Sequence, residues 1–447
     1  MRSPADLDAA SRWMLRSRNR LAQFLKYVRN VYDLPQVLRQ VRDCRRRPQI
    51  PTFTVLLGLC FAAALRFRSF NAMEGYLRER GFQRLLGRHV RPGKKAFSAD
   101  TVARVVDALD DASLAEAQRR IIGQAERNKA FREGWPGAVR CVALDGWEVF
   151  RSRRRRCDDC LTRTVHTQAG DVTEYYHRVV VALLLGEKTE VVLDLEPVRS
   201  LHARQVAGAT DATRDEGEKT AARRLIQRLR DTYGGFVDVL VLDGLYPDGP
   251  TLTTIAECGY SAVITLRKAT DEPLKDALAL WEGQPPTETW EDLQRCETIR
   301  AWDCPEVRTL DTFDGPLRVV RAEVTSWRTS QTTTWCAVAL GEHGRRLSLR
   351  RIHDIQRARW HEENTAFHQW TTQWKLGRAF RHSPEGVRAV LRIWTLTFNL
   401  LQLFCFRRPR RLRQPRDPRD RLQHLVQQMI VSLGVIPGPL SWAARGG

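Results

Sequence analysis

Nowhere in this chain does an apolar run reach the roughly 18 residues that a helix needs to cross a bilayer. The nearest candidate, VLLGLCFAAAL at 55–65, is too short to span and reads as a buried helix. The stretch MRSPADLDAASRW has early acids and no apolar core of the secretory kind, so export is not expected and the cytoplasm is the expected compartment. Cysteine is not concentrated either. The ten cysteines are scattered from position 44 to 405, unlike the dense framework of a small secreted domain, and most are expected as buried thiols. No internal repeat and no P-loop is present, which removes solenoid arrays and Walker-type nucleotide hydrolysis. Acids are short relative to bases, 52 Asp+Glu against 73 Lys+Arg, for a formal charge of +21. An excess that large implies a polyanionic partner, because clustered cations gain affinity by displacing counterions from phosphates. Nucleic acid is the leading class, and with no spanning segment no membrane partner is expected.

What the chain does have is length and apolar content, 447 residues at 43% hydrophobic, enough for two or three folding units. The charge is uneven. Residues 1–95 hold 21 Lys+Arg against 6 Asp+Glu, a surplus of 15 out of the total of 21. LAQFLKYVRNVYDLPQVLRQVRDCRRR (21–47) alternates apolar and basic residues at helical spacing, and SADTVARVVDALDDASLAEAQRRI (98–121) reads as one or two amphipathic helices capped by Ser98 or Asp100. Residues 1–135 are therefore expected to form an α-helical, basic, DNA-binding region.

From 136 the pattern changes. GAVRCVALDGWEVF (137–150) is a β-branched apolar run that delivers Asp145 near a cluster of arginines. YYHRVVVALLL (175–185) and TEVVLDLEPV (189–198), joined by GEK, read as an antiparallel hairpin. DEGEKTAARRLIQRLRDTYGG (215–235) fits a helix with Asp215 as N-cap, Glu218 as capping-box partner and a Gly-Gly exit. FVDVLVLDGLY (236–246) is a strand ending at Asp243, TLTTIAECG a short helix and YSAVITLRK a further strand. The order βββαβαβ gives an α/β unit over 136–269, with both aspartates at strand ends where open sheets place ligand sites. Residues 270–350 are turn-rich and alternating and read as a β insertion subdomain. Helical patterning returns over 351–406, closing on VRAVLRIWTLTFNLLQLFCF (387–406), and 407–447 opens on RRPRRLRQPRDPRDR, a basic tail expected to be mobile or to contact DNA.

One cysteine pair has metal-ligand spacing, Cys157 and Cys160 in CDDC, with His166 and His177 downstream as candidate further ligands. Without a second C-x-x-C, a reduced loop pair is the first reading and a structural Zn2+ the alternative. Each Asp-Gly, taken alone, is also a common turn.

Three acids in order carry a resemblance. VALDGW, LVLDGLY and R-W-x-x-E-N-x-x-F beyond a β insertion resemble the DDE transposases of the bacterial insertion-sequence-four type, as do the weaker echoes CLTR, EYYHRVVVALLL, DEGEKTAARRL and TFNLLQLF, over about 138–406. The resemblance implies an α/β, RNase H-like catalytic domain (136–269 and 351–406) with the β-strand insertion, preceded by the α-helical DNA-binding region. It implies catalytic, metal-holding Asp145, Asp243 and Glu363. The family's arginine stands four residues before its glutamate, so Arg359 selects Glu363 over Glu362, and Trp360 and Asn364 bracket it. Where the family carries a tyrosine before the arginine this chain has Gln356, and in place of its lysine Trp370, with Lys375 nearby as a substitute charge. Arg359, Trp360, Asn364, Lys375 and Tyr246 are the expected DNA contacts.

The chemistry so implied is hydrolysis and strand transfer with two Mg2+ ions, Mn2+ substituting, held by oxygen ligands. Partners would be the element's terminal inverted repeats and target DNA, bound by a synaptic homodimer in a cytoplasmic, nucleoid-associated setting. A hairpin on the element's end would need a flipped base, for which Trp327 is a candidate stacking platform worth about 1–3 kcal/mol. Glu148, Asp194, Glu196 and Asp248 are nearby acids that would replace the triad if it were misread. Two other functions remain open: a nuclease of the same fold that cuts without joining, and an inactive descendant that only binds DNA.

Overall fold

A computed structural model describes residues 19–90, 93–131, 139–168, 170–186, 189–209, 212–267, 271–308, 310–360, 362–377, 380–407 and 418–442. The basic N-terminal region is helical: α1 (Arg20–Asn30), α2 (Leu34–Arg39), α3 (Thr52–Ala64), α4 (Phe70–Tyr76), α5 (Arg80–Leu85), α6 (Ala99–Ala108) and α7 (Asp111–Arg127). Ser98 caps α6 by accepting from Thr101 N, and Asp110 caps α7 by accepting from Ser113 N, each satisfying an otherwise unpaired first-turn amide. Asp100 stands in the first turn of α6 and is not its cap. The apolar run at 55–65 lies in α3 and is buried on all sides. Among the described residues no helix is long and apolar enough to cross a membrane.

The sheet is assembled from β1 (Cys141–Ser152), β2 (Leu161–Thr167), β3 (Gly170–Leu184), β4 (Val191–Pro197), β5 (Val239–Leu242) and β6 (Ser261–Leu266), with α8 (Leu201–Val206), α9 (Glu218–Tyr233) and α10 (Gly249–Glu257) between them. After α11 (Glu272–Trp281) come β7 (Glu288–Asp292), β8 (Glu297–Val307), β9 (Leu317–Ser326) and β10 (Thr332–Leu340). Among the described residues these form one ten-stranded sheet in the order β2-β3-β1-β5-β6-β10-β9-β8-β7, with β4 pairing the upper half of β3. Strand β3 runs antiparallel to β1, while β5 and β6 run parallel to it. The segment expected as a β insertion subdomain does not make a sheet of its own. Its last strand, β10, pairs antiparallel with β6, so an edge that would otherwise expose unpaired amides continues into four more strands.

The chain closes through α12 (Gly341–Arg346), α13 (Leu349–Ala358), a π-helical turn (Glu362–Phe367), α14 (His368–Thr372), α15 (Pro384–Arg407) and α16 (Pro418–Leu433). Helix α15 packs on α7, α3 and α6 on one side and on β4 on the other, so the N-terminal helices and the sheet share its apolar surface. Its polar residues are spent inside the fold: Asn399 Oδ1 accepts from Val192 N (2.8 Å) and its Nδ2 donates to Val192 O (2.7 Å).

Two local expectations are corrected. Asp215 does not cap α9, whose N-cap is Gly217. Its carboxylate instead accepts from Leu201 N and Thr162 N, both at 2.8 Å, tying the start of α8 to β2. The basic tail is folded from 418: α16 packs on α1 and α5, and Trp442 Nε1 donates to Leu85 O (2.8 Å). Residues 408–417, which hold most of the arginine-proline stretch, lie outside the described residues.

Candidate functional site

Strands β1 and β5 are parallel neighbours with Leu144 opposite Leu242, so the next residue on each, Asp145 and Asp243, stand side by side. Strand β5 stops there while β1 runs on against β3, which leaves one flank of β1 open at the height of the two acids. Each carboxylate is aimed by backbone. Asp145 Oδ1 accepts from Gly146 N and Asp243 Oδ1 from Leu245 N, both at 2.8 Å, leaving the second oxygens for partners. Asp243 Oδ2 meets Arg267 Nη2 at 2.9 Å, and Asp145 Oδ2 faces Arg359 Nη1 at 3.4 Å.

Arg359 belongs to the helical segment that follows the antiparallel half of the sheet. It is buried, and the same Nη1 that faces Asp145 donates to Glu363 Oε1 at 2.8 Å. One guanidinium thus spans an acid from β1 and an acid from the π turn. The two adjacent glutamates differ in surroundings. Glu362 is fully buried, and neither carboxylate oxygen has a hydrogen-bond donor among the described residues. The Glu363 side chain is 42% exposed and open to solvent beyond Arg359. A π turn widens the helix locally and is frequent at functional sites, and here it turns two neighbouring carboxylates to different environments.

A further acid comes in from beneath. Glu218, at the start of α9, lies so close to Gly146 that a Cβ there would sit 2.1 Å from Glu218 Oε2. Only glycine after Asp145 admits it. Glu218 accepts from Tyr246 Oη (2.7 Å) and from Arg178 Nη1 (3.0 Å). The reading of Glu218 as a capping-box partner missed this role, and nothing in its local sequence signals it.

The cluster is rich in negative potential. Burial, joined by the negative charge of Asp243, outweighs the Gly146 N–H and Arg359 and pushes the Asp145 carboxyl up to about 6. Burial, then the charge of Asp145, holds the Glu362 carboxyl well above the ordinary carboxylate range. The Tyr246 hydroxyl is likewise driven well up by burial and by Glu218, so it stays a donor.

The expected DNA contacts fare unevenly. Arg359 is buried and engaged with acids. Tyr246 is fully buried with its hydroxyl on Glu218, so it supports the site from inside and presents nothing to a DNA surface. Trp360 is exposed with its ring edge-on to Trp335, and Trp327 is exposed on the turn after β9 with Nε1 donating to Thr298 Oγ1 (2.7 Å). Lys375 follows α14 in a left-handed conformation, φ 55°. The side chain of Asn364 lies outside the described residues. The alternative acids are occupied elsewhere: Glu148 with Arg163, Asp194 and Glu196 with Arg228, and Asp248 as the N-cap of α10. Beyond the site, Arg151 and Arg153 to Arg156 form an exposed run where β1 leaves the sheet.

The cysteine pair does find a histidine. Cys157, Cys160 and His177 offer ligand atoms that all lie within 4.8 Å of one another. His166 is not among them. It sits across the β2–β3 hairpin with Nδ1 2.6 Å from Asp171 Oδ1, facing solvent.

No protein-family model matches the chain, and no curated protein matches it in sequence. Among solved structures, a piggyBac transposase synaptic complex with hairpin DNA is similar at a TM-score of 0.42 and 12% identity, covering 95% of this chain and 82% of that one. At that score and identity the likeness speaks to neither activity nor residue roles.

Proposed function

We propose that this chain is a DDE-type DNA transposase that cuts and joins strands at the terminal inverted repeats of its element. The observation that carries the reading is the convergence of Asp145, Asp243 and Glu363 on one open flank of the sheet, two of them sharing Arg359. The RNase H-like reading of the domain is supported by the run β4-β3-β1-β5-β6, antiparallel in its first three strands and parallel in its last, with Asp145 midway along β1 beside Asp243 just past β5.

The donor set fits hard divalent cations: it is all oxygen, and it gathers more carboxylates than guanidiniums. Asp145, Asp243 and Glu363 would hold two Mg2+ ions, Mn2+ substituting, which when bound activate the attacking oxygen and stabilise the leaving one. The protein's own part is positioning. Glu218, held by Tyr246 and Arg178, braces the backbone at Gly146 and so fixes Asp145. Arg359 sets the spacing between Asp145 and Glu363. Arg267, more than half exposed, is free to move from Asp243 to a phosphate. The exposed arginines at 151 and 153–156 and the basic helices supply the electrostatic track for DNA, bound by a pair of chains at paired ends.

The test is incubation of the purified chain with linear DNA bearing its element's ends and magnesium, read on denaturing gels for nicks, hairpins and joined products. Asp145→Asn, Asp243→Asn and Glu363→Gln should each abolish cutting and joining while DNA affinity stays within about threefold, since each removes a ligand charge without changing shape. Nicks without joined products would make the chain a nuclease. Binding with no cleavage by the unaltered chain would make it a DNA-binding descendant.

A further inference from the structure

A second side-chain cluster lies apart from the carboxylates and is chemically unlike them. The connection from β1 to β2 carries Cys157 and Cys160, and β3 passes beneath it with His177 opposite Phe150. Cys157 Sγ and Cys160 Sγ are 3.6 Å apart, and His177 Nε2 lies 3.2 Å from the first and 3.5 Å from the second. A disulfide requires about 2.05 Å between sulfurs, so the pair is not bonded. A tetrahedral ion with bonds of about 2.3 Å to sulfur and about 2.0–2.1 Å to nitrogen would have edges of about 3.8 Å between sulfurs and about 3.6 Å from sulfur to nitrogen. The observed triangle matches those edges to within a few tenths of an ångström.

We propose that Cys157, Cys160 and His177, with His382 as fourth ligand, form a structural zinc site that clamps the arginine-rich connection after β1 to β3 and to the start of α15. His382 is the candidate for the fourth place, but its ring nitrogens are not within 4.8 Å of all three other ligand atoms, so its side chain would turn inward to reach the ion. Its ring stands edge-on to Phe150 at 4.6 Å, the same ring against which His177 packs at 5.2 Å, and its Nδ1 is buried with no hydrogen-bond partner among the described residues. The backbone is arranged for thiolates: Cys157 N donates to Cys160 Sγ at 3.2 Å, and Asp159 N–H donates to Cys157 Sγ. Sulfur and imidazole ligands suit zinc, whereas the all-oxygen cluster at Asp145 suits magnesium, so the two sites would not compete for one ion. The site also explains the loop's place in the fold. Residues 153–156 are four exposed arginines in a row, and an ion fixed at 157 would order cations that otherwise repel one another.

The test uses the full chain, dialysed against metal-free buffer, with metal read by atomic emission rather than through strand cleavage. About one zinc per chain is expected. Cys157→Ser and Cys160→Ser should each lose it, His382→Ala should weaken zinc retention at least tenfold against a competing chelator, and His166→Ala should leave it unchanged. If the serine variants fail to fold, cobalt loaded into the unaltered chain gives an independent reading, since two thiolates and two imidazoles in a tetrahedron produce thiolate-to-cobalt charge-transfer absorption. A chain that holds no zinc after growth in zinc-supplemented medium, with both thiols free or joined as a disulfide, overturns the proposal. Zinc loss in His166→Ala overturns the ligand assignment.

Discussion

Two groups of buried acids sit in this sheet within a few strands of each other, and they are built on opposite rules. On β4, Asp194 and Glu196 are almost fully covered, yet every carboxylate oxygen is answered: Asp194 by Arg392 and Arg228 (2.6 Å), Glu196 by Arg228 and Arg224 (2.8 Å). Burial alone would raise the Asp194 carboxyl, but Arg392 and Arg228 overcome it and hold the group below its ordinary range. At Asp145, midway along β1, and Asp243, just past β5, the count runs the other way. Arg359 is shared between two acids, and burial wins over the available cations at Asp145. Residue type is alike in the two groups, and Asp145 and Asp243 lie nearly as deep as the β4 pair, so neither type nor depth marks function. What separates them is whether the charge is answered within the chain. The β4 group is finished by folding, while the β1–β5 group leaves negative potential that something from outside can complete.

The largest effect on stability should come from the finished group. Arg392→Met keeps volume but strips Asp194 of one of its two guanidiniums inside the α15–β4 interface, which should cost about 3–5 kcal/mol in urea unfolding. At the other group the sign should reverse. Asp145→Asn removes a charge that the metal-free fold holds at a cost, so the variant should be inactive in cleavage yet more stable than the parent by about 1 kcal/mol when unfolded in the presence of chelator. Equal losses from the two substitutions would erase the distinction between the groups. A gain from Arg392→Met would invert it.

Much of the unfinished group could be read from sequence, because Asp145 and Asp243 each end an apolar run and strand pairing needed only to be parallel to bring them together. Glu218 could not be read. Its local pattern is that of a helix start, and its approach to Gly146 depends on the packing of α9 across β3 and β4. The same limit governs the cysteines. Their spacing is visible, but the choice between His166 and His177 turns on the register of the β1–β3 and β2–β3 pairs, which sends the first outward to Asp171 and sets the second beneath the loop. The continuation of the sheet through β10 was hidden for a related reason, since alternation shows that strands exist and is silent on which edge receives them. The C-terminal helix was hidden by its neighbour. Leu422, Leu425, Met429 and Leu433 form a buried stripe at helical spacing, but the arginine-proline stretch just before them dominated the composition. Nor is the helical region a separate unit, because the apolar surface that covers α3 is supplied by α15, more than three hundred residues later in the chain.

The finest cut is between Glu362 and Glu363, neighbours in sequence of which only the second presents a carboxylate to the open flank. Glu363 is solvent-accessible, charged against Arg359 and able to present an oxygen outward. Glu362 is sealed, with no donor to either oxygen among the described residues, and a carboxyl in that state is far cheaper to keep protonated than ionised. Gln is nearly isosteric with a protonated glutamate, so Glu362→Gln exchanges one neutral group for another and should leave cleavage and joining within about threefold of the parent, with stability shifted by less than about 1 kcal/mol. Glu363→Gln removes a real charge from the open flank and should abolish both steps. Parallel assays of the two variants on the same paired-end DNA, with binding measured alongside, decide the register of the third acid. An inactive Glu362→Gln beside an active Glu363→Gln would move the ligand role one residue back and show that the buried carboxyl is drawn out when a cation binds. Full activity in both would remove the π turn from the metal site and leave Asp145 and Asp243 without a third partner on this helix.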